Sequence, residues 1–201
     1  MMTVSSEVTR PWILFGDSDR ALHIRSVVRL AEYLDRRLAL GGDLRRAACY
    51  HDIGYADVAS VTGFHPVDGA LLARRHGLPH IVAEAILHHT GAFHEMRAHR
   101  SDLATYYGAS CKMLDSLVSR ALTFCDLRSG VSGGLVSAQH RIEDIRRRHH
   151  RNSAILTSLD ASEVAFHQID AELSPALCGY EDVPLLFPID KKGNSAAVAL
   201  S

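Results

Sequence analysis

The sequence predicts an all-α protein, a bundle of amphipathic helices. Three observations lead there. Apolar residues recur at three- and four-residue steps along most of the chain. No stretch alternates apolar with polar residues as a half-buried strand does. Capping residues and glycines fall at helix-length intervals. The 201 residues, 47% of them hydrophobic, suit one domain with a proper core. We divide the chain into a segment 1–18, a domain 19–173 and a tail 174–201.

Before Ser18 there is no clear period, but Trp12-Ile-Leu-Phe15 should pack on the domain. From Asp19 to Leu40 a helix is expected, with Ile24, Val27, Val28, Ala31, Leu34 and Leu38 inward and His23 on the same face. Asp17, Ser18 or Asp19 caps it, and Gly41-Gly42 ends it. A second helix runs from a capping Asp43 through Leu44, Ala47 and Ala48 to His51-Asp52, where Gly54 stops it. After a loop over 56–63, Phe64-His-Pro-Val-Asp-Gly-Ala70 opens a helix ending near Gly77, with Pro66 in its first turn. Pro79 starts the next, through Ile81, Ala85 and His88-His89 to Gly91. Residues 93–102 read as a polar loop, and 106–126 as one long helix with Leu114, Leu117, Val118, Ala121 and Leu122 inward. A flexible link over 129–134 precedes an amphipathic helix over 136–150. Asp160-Ala-Ser-Glu163 resembles a capping box opening the last helix, to Leu173. Leu185, Leu186 and Phe187 could dock, and a loose tail follows from Lys191.

Composition excludes several function classes. A net charge of −1 gives no global field toward nucleic acid or membrane. The four cysteines form no Cys-x-x-Cys pair and read as reduced thiols of a cytoplasmic protein. No signal peptide or membrane-length apolar run is seen. The basic run Arg146-Arg-Arg-His-His-Arg151 lacks interleaved aromatics and reads as a solvated helix end.

The anomaly is 13 histidines, a residue poor at building cores. His23, His51, Asp52, His65, His88, His89 and Asp126 all fall on or at the end of helices with regular apolar faces. His88 continues the row Ile81-Ala85; Asp126 continues Val118-Leu122. A buried carboxylate needs a partner, and imidazoles with two carboxylates are the inventory of a dinuclear metal centre in a helical bundle.

The order His23, His51-Asp52, Asp126 resembles the H…HD…D pattern of the HD superfamily of metal-dependent phosphohydrolases. His51-Asp-Ile-Gly54 matches its neighbourhood, while the segment around His65 and the pair His88-His89 resemble the extra ligand motifs of its multi-metal members. The similarity covers about 19–172. In the HD-GYP branch a Lys follows His-Asp-Ile-Gly and a Gly-Tyr-Pro follows the His pair. Here Tyr55 stands at the first place and Thr90-Gly-Ala-Phe93 at the second, so cyclic di-GMP is not indicated.

The resemblance implies an all-α HD-domain bundle with two divalent ions, iron or manganese. One would take His23, His51, Asp52 and Asp126, and Asp52 would bridge to a second held by His65 and His88. His89 would be a further ligand, an acid or a phosphate contact. Asp19, one turn before His23, is either a ligand of a third metal or a capping carboxylate. Asp68 and Glu84 are candidates to accept the histidines' remaining N–H groups. The implied activity is hydrolysis of a small phosphorylated substrate, such as a nucleotide, by an activated metal-bridging water. Asp52, His89 and Arg128 would be catalytic; Tyr55, Lys112 and Arg128 would contact substrate. The six positions His23, His51, Asp52, His65, His88 and Asp126 are also similar to those of di-iron oxygenases of the inositol-oxygenase type, which cleave a C–C or C–P bond with dioxygen.

Overall fold

The computed structural model describes residues 10–150 and 153–180. They form α-helices joined by short 3-10 turns, with one isolated bridge, Ser129 to Leu135, and no strand among the described residues. The helices are α1 (Asp19–Arg37), α2 (Asp43–Tyr50), α3 (His65–Arg75), α4 (His80–His88), α5 (Ala92–His99), α6 (Ala104–Tyr107), α7 (Leu117–Leu127), α8 (Ala138–Arg148) and α9 (Ala154–Leu173).

The centre of the bundle is built by α1, α2, α4 and α7, which pack on one another, with α3 on α4 and α9 across α5 and α7. Ile24, Leu34, Leu44, Ile86, Leu122 and Phe166 are fully buried there. Trp12 seals one side as expected, while Ile13 and Leu14 remain exposed. Among the expected caps of α1, Ser18 serves: its Oγ accepts from the Ala21 N–H. Asp43 is the first residue of α2 rather than its cap, a place taken by Gly42.

Four expectations are corrected. The segment 93–102 is mostly helical, because Ala92, Phe93 and Met96 form an apolar face against the core. The helix expected over 106–126 is two helices: Gly108 ends α6, and Ser116, whose Oγ accepts from the Ser119 N–H, caps α7. Leu114 lies in the intervening loop, partly exposed. The link 129–134 is a hydrogen-bonded turn, with Gly130 N–H donating to Gly134 O and Val136 N–H to Arg128 O. The last helix starts at Ala154, where Ser153 Oγ accepts from the Leu156 N–H, so Asp160 and Glu163 sit inside it and pair with Arg146.

The basic cluster is tied down: Arg147 and Arg148 both pair with Asp144. Arg151 and the segments at 185–187 and from 191 onward lie outside the described residues. Among the described residues no helix is long and apolar enough to cross a membrane.

Candidate metal centre

Asp52 organises the centre. α2 ends at Tyr50, and the chain passes through His51 and Asp52 into a 3-10 turn, Ile53–Tyr55. This presents the buried Asp52 carboxylate to three neighbours on different helices. Its Oδ2 is 3.6 Å from His51 Nε2 and 4.0 Å from His23 Nε2, while its Oδ1 is 3.7 Å from His65 Nε2. Two sets of ligand-type atoms result, each lying within 4.8 Å: His23, His51 and Asp52, and Asp52, His65 and His89. Asp126 joins the first through its Oδ1, 3.0 Å from His23 Nε2.

The imidazoles are aimed by the backbone. Nδ1 of His51 donates to Ala48 O (2.8 Å), Nδ1 of His89 to Ile86 O (2.5 Å) and Nδ1 of His23 to Gly130 O (3.1 Å). Each bond fixes the ring and leaves Nε2 turned toward the carboxylates, the outer-contact arrangement common at metal ligands. Asp68 and Glu84 do not take this role. Asp68 accepts from the Thr62 and Gly63 N–H groups, and Glu84 pairs with Lys112 and Arg74.

Metal ligands fit here on one observation above all. His51 Nε2 is buried and makes no hydrogen bond among the described residues. A buried polar nitrogen without a partner is expensive, and a nitrogen lone pair beside a carboxylate is what a divalent cation would satisfy.

Charge is balanced tightly. Burial opposes ionisation of Asp52, but His51, Arg20, His65 and His23 more than reverse this and hold it well below the usual carboxylate range. Asp126 is likewise held far below that range: burial is opposed by His23, His51 and Arg141. Thr90 Oγ donates to Asp126 Oδ2. Burial lowers His51, and pushes His65 down to about 3 against the pull of Asp52. Both imidazoles are therefore neutral at pH 7, as ligands must be.

His88 and His89 part company. α4 breaks after His88; His89 takes extended backbone angles and Thr90 a left-handed φ of 43°. This break swings His89 toward Asp52 and His65. The left-handed Gly91 that follows sits tightly under α9, where an added Cβ would stand 2.6 Å from Ser158 Oγ. His88 stays in helical phase and points elsewhere, its ring edge-on to Tyr107 at 5.0 Å. Its Nδ1 accepts from the Lys112 N–H, so the neutral ring carries its proton on Nε2. His89, not the expected His88, is the histidine whose ligand-type atom lies with those of Asp52 and His65.

Other expected residues are also relocated. Arg128 donates from Nε to Asp170 Oδ1 (2.7 Å) and from Nη2 to Ser174 Oγ (2.6 Å), bracing α7 against α9. Lys112 Nζ donates to Glu84 (2.9 Å). Both expected contacts are spoken for because long side chains reach acids that neighbour them only in the fold. Asp19 is exposed in the first turn of α1, outside both sets of ligand-type atoms. Tyr55 does lie at the centre, stacked on the His65 ring at 4.1 Å and half exposed. Two arginines were missed. Arg20 Nη1 donates to Asp52 Oδ2 at 2.5 Å, and Arg141 Nη2 stands 3.9 Å from Asp126 Oδ1. The only sequence signal for Arg20 was its position one turn before His23.

Two predictions arise here. Arg128→Ala will leave metal content unchanged and remove about 1 kcal/mol of stability, a fall in Tm of roughly 2–4 °C. Loss of bound metal in that variant would return Arg128 to the centre. The second concerns pH. His88, like His65, is held down by burial, to about 4. An unfolded histidine titrates near about 6.5, so between that value and the folded one the unfolded chain binds more protons. Stability of the metal-free protein therefore falls on acidification below about 6.5. Asp52 and Asp126, whose folded values are depressed, add a further loss below about 3.9. Urea midpoints will drop from pH 7 to pH 5, with a shallower slope in His88→Gln; midpoints flat across that range would contradict the burial argument.

The fold and centre define a class: an all-α domain that gathers imidazoles around two buried carboxylates, as divalent-metal proteins do. The HD domain family model matches residues 20–126, more than half the chain, and the protein belongs to the HD domain family. No curated protein and no solved structure matches the chain.

Proposed function

We propose that this protein is a metal-dependent phosphohydrolase acting on a small phosphorylated substrate, a phosphate ester or nucleotide. The observation that carries the reading is the two-sided use of Asp52, with Oδ2 toward His51 and His23 and Oδ1 toward His65. Membership of a family whose proteins bind divalent metals and are commonly hydrolytic supports it.

His23, His51, Asp52 and Asp126 would hold one ion, and Asp52, His65 and His89 the other. Two divalent ions, iron or manganese, would polarise the phosphoryl oxygens and supply an activated water. The chain's own residues do the rest. Asp52 keeps both groups in register because one rigid carboxylate serves each. The carbonyls of Ala48, Ile86 and Gly130 hold the rings in the tautomer that leaves Nε2 free. Tyr55, on the outer face of His65 and half exposed, borders the way in for substrate.

The test is phosphate release from a panel of phosphomonoesters, phosphodiesters and nucleotides, by full-length protein loaded anaerobically with manganese or ferrous iron. Metal-dependent release is expected. Substrate-dependent oxygen uptake without phosphate release would overturn the reading in favour of a di-iron oxygenase, and failure to retain any ion would leave a binding module.

A further inference from the structure

We infer that Arg20 and Arg141 form a guanidinium clamp that selects a dianionic phosphate monoester; this rests on the phosphohydrolase reading and narrows its substrate class. The two arginines flank the centre. A continuous line of contacts runs from Arg20 through Asp52, His23 and Asp126 to Arg141, with steps of 2.5, 4.0, 3.0 and 3.9 Å. They come from opposite ends of the domain sequence, Arg20 from the first turn of α1 and Arg141 from α8, beyond the residues matched by the family.

Neither is an ordinary surface arginine. The Arg20 guanidinium lies 4.0 Å over the Tyr55 ring, which itself stacks on His65. That stack holds the cation at the rim, with its side chain 39% exposed. Arg141 is 12% exposed; its Nη1 is buried and makes no hydrogen bond among the described residues. Its acids, Asp126 and Asp144, stand at 3.9 and 3.8 Å, beyond hydrogen-bond distance. A partly buried guanidinium whose Nη1 makes no hydrogen bond among the described residues is poised for an anion with several acceptor oxygens.

Charge sets the class. The charges of Arg20 and Arg141 offset those of Asp52 and Asp126 in the cluster as a whole, so its net charge would be that of the two divalent ions. A monoester dianion gains more from that surplus than a singly charged diester. Both arginines can exchange a carboxylate for phosphate without leaving a charge buried and unpaired.

The experiment titrates full-length, manganese-loaded protein with inorganic phosphate and with dimethyl phosphate by calorimetry, with bound metal counted by elemental analysis. Wild type is expected to prefer phosphate. Arg20→Ala and Arg141→Ala should each weaken phosphate binding about 10- to 100-fold, the worth of a charge-assisted hydrogen bond, at undiminished metal content. Arg141→Lys, which keeps charge but not the fork, is expected to recover part of the loss and serves if the alanine variant does not fold. Unchanged phosphate affinity in the variants at full metal content would overturn the clamp alone. Equal wild-type affinity for the two anions would overturn the monoester preference. Metal-loaded wild type that binds neither anion would remove the hydrolase reading and the clamp together.

Discussion

Asp52→Ala will release both ions and abolish turnover, the largest effect expected of any single substitution. The carboxylate is the one group common to the two sets of ligand-type atoms. Loss of an outer contact to a ligand already costs about 10- to 100-fold in metal affinity; loss of a ligand shared by two ions, as proposed for Asp52, would cost more. The fold should survive, because removing the carboxylate also relieves a buried charge, although Arg20 loses its partner. Elemental analysis, near- and far-UV circular dichroism and phosphate release together decide the matter. His94→Ala, outside both sets, is the control that keeps its metal. Two ions retained by a folded Asp52→Ala protein would show that Asp52 does not bridge.

Gly54→Ala is the second. Gly54 looks in the sequence like a helix stop, but its necessity is spatial. An added Cβ would stand 2.2 Å from the His65 carbonyl oxygen and 2.7 Å from His65 Cα. Both are backbone atoms at the start of α3 and cannot swing aside as a side chain would. The turn after Asp52 would be pushed from α3, widening the 3.7 Å gap between Asp52 Oδ1 and His65 Nε2. Overpacking of this severity should cost on the order of 3 kcal/mol, a fall in Tm of roughly 6–12 °C for a chain of this size. The variant should keep the ion at His23 and His51 while losing the one at His65 and His89. A wild-type Tm with two ions bound would mean that the two backbones tolerate separation.

His88 and His89 show where sequence reasoning ended. Both sit at the end of an apolar row, and which of them faces Asp52 depends on where α4 breaks. That break is made by a left-handed Thr90 and by Gly91 fitting beneath α9, a helix more than sixty residues away in the chain. The turn at 129–134 is a similar case. Its glycines read as a flexible link; that it is an ordered turn whose Gly130 carbonyl accepts from His23 needs α7 and α1 side by side.

What the sequence determined alone was the helical class, from its 3.6-residue period, and the grouping of His23, His51-Asp52, His65 and Asp126 in one His/Asp cluster. Polar groups placed on apolar faces must be buried with partners wherever those faces meet, so their involvement is written locally. The tertiary structure decided the rest: His89 over His88, backbone carbonyls rather than Asp68 and Glu84 behind the imidazoles, and Arg20 and Arg141 rather than Arg128 and Lys112 beside the carboxylates. Long charged side chains pair with whatever acid the packing brings within reach, and only the packing fixes which acid that is.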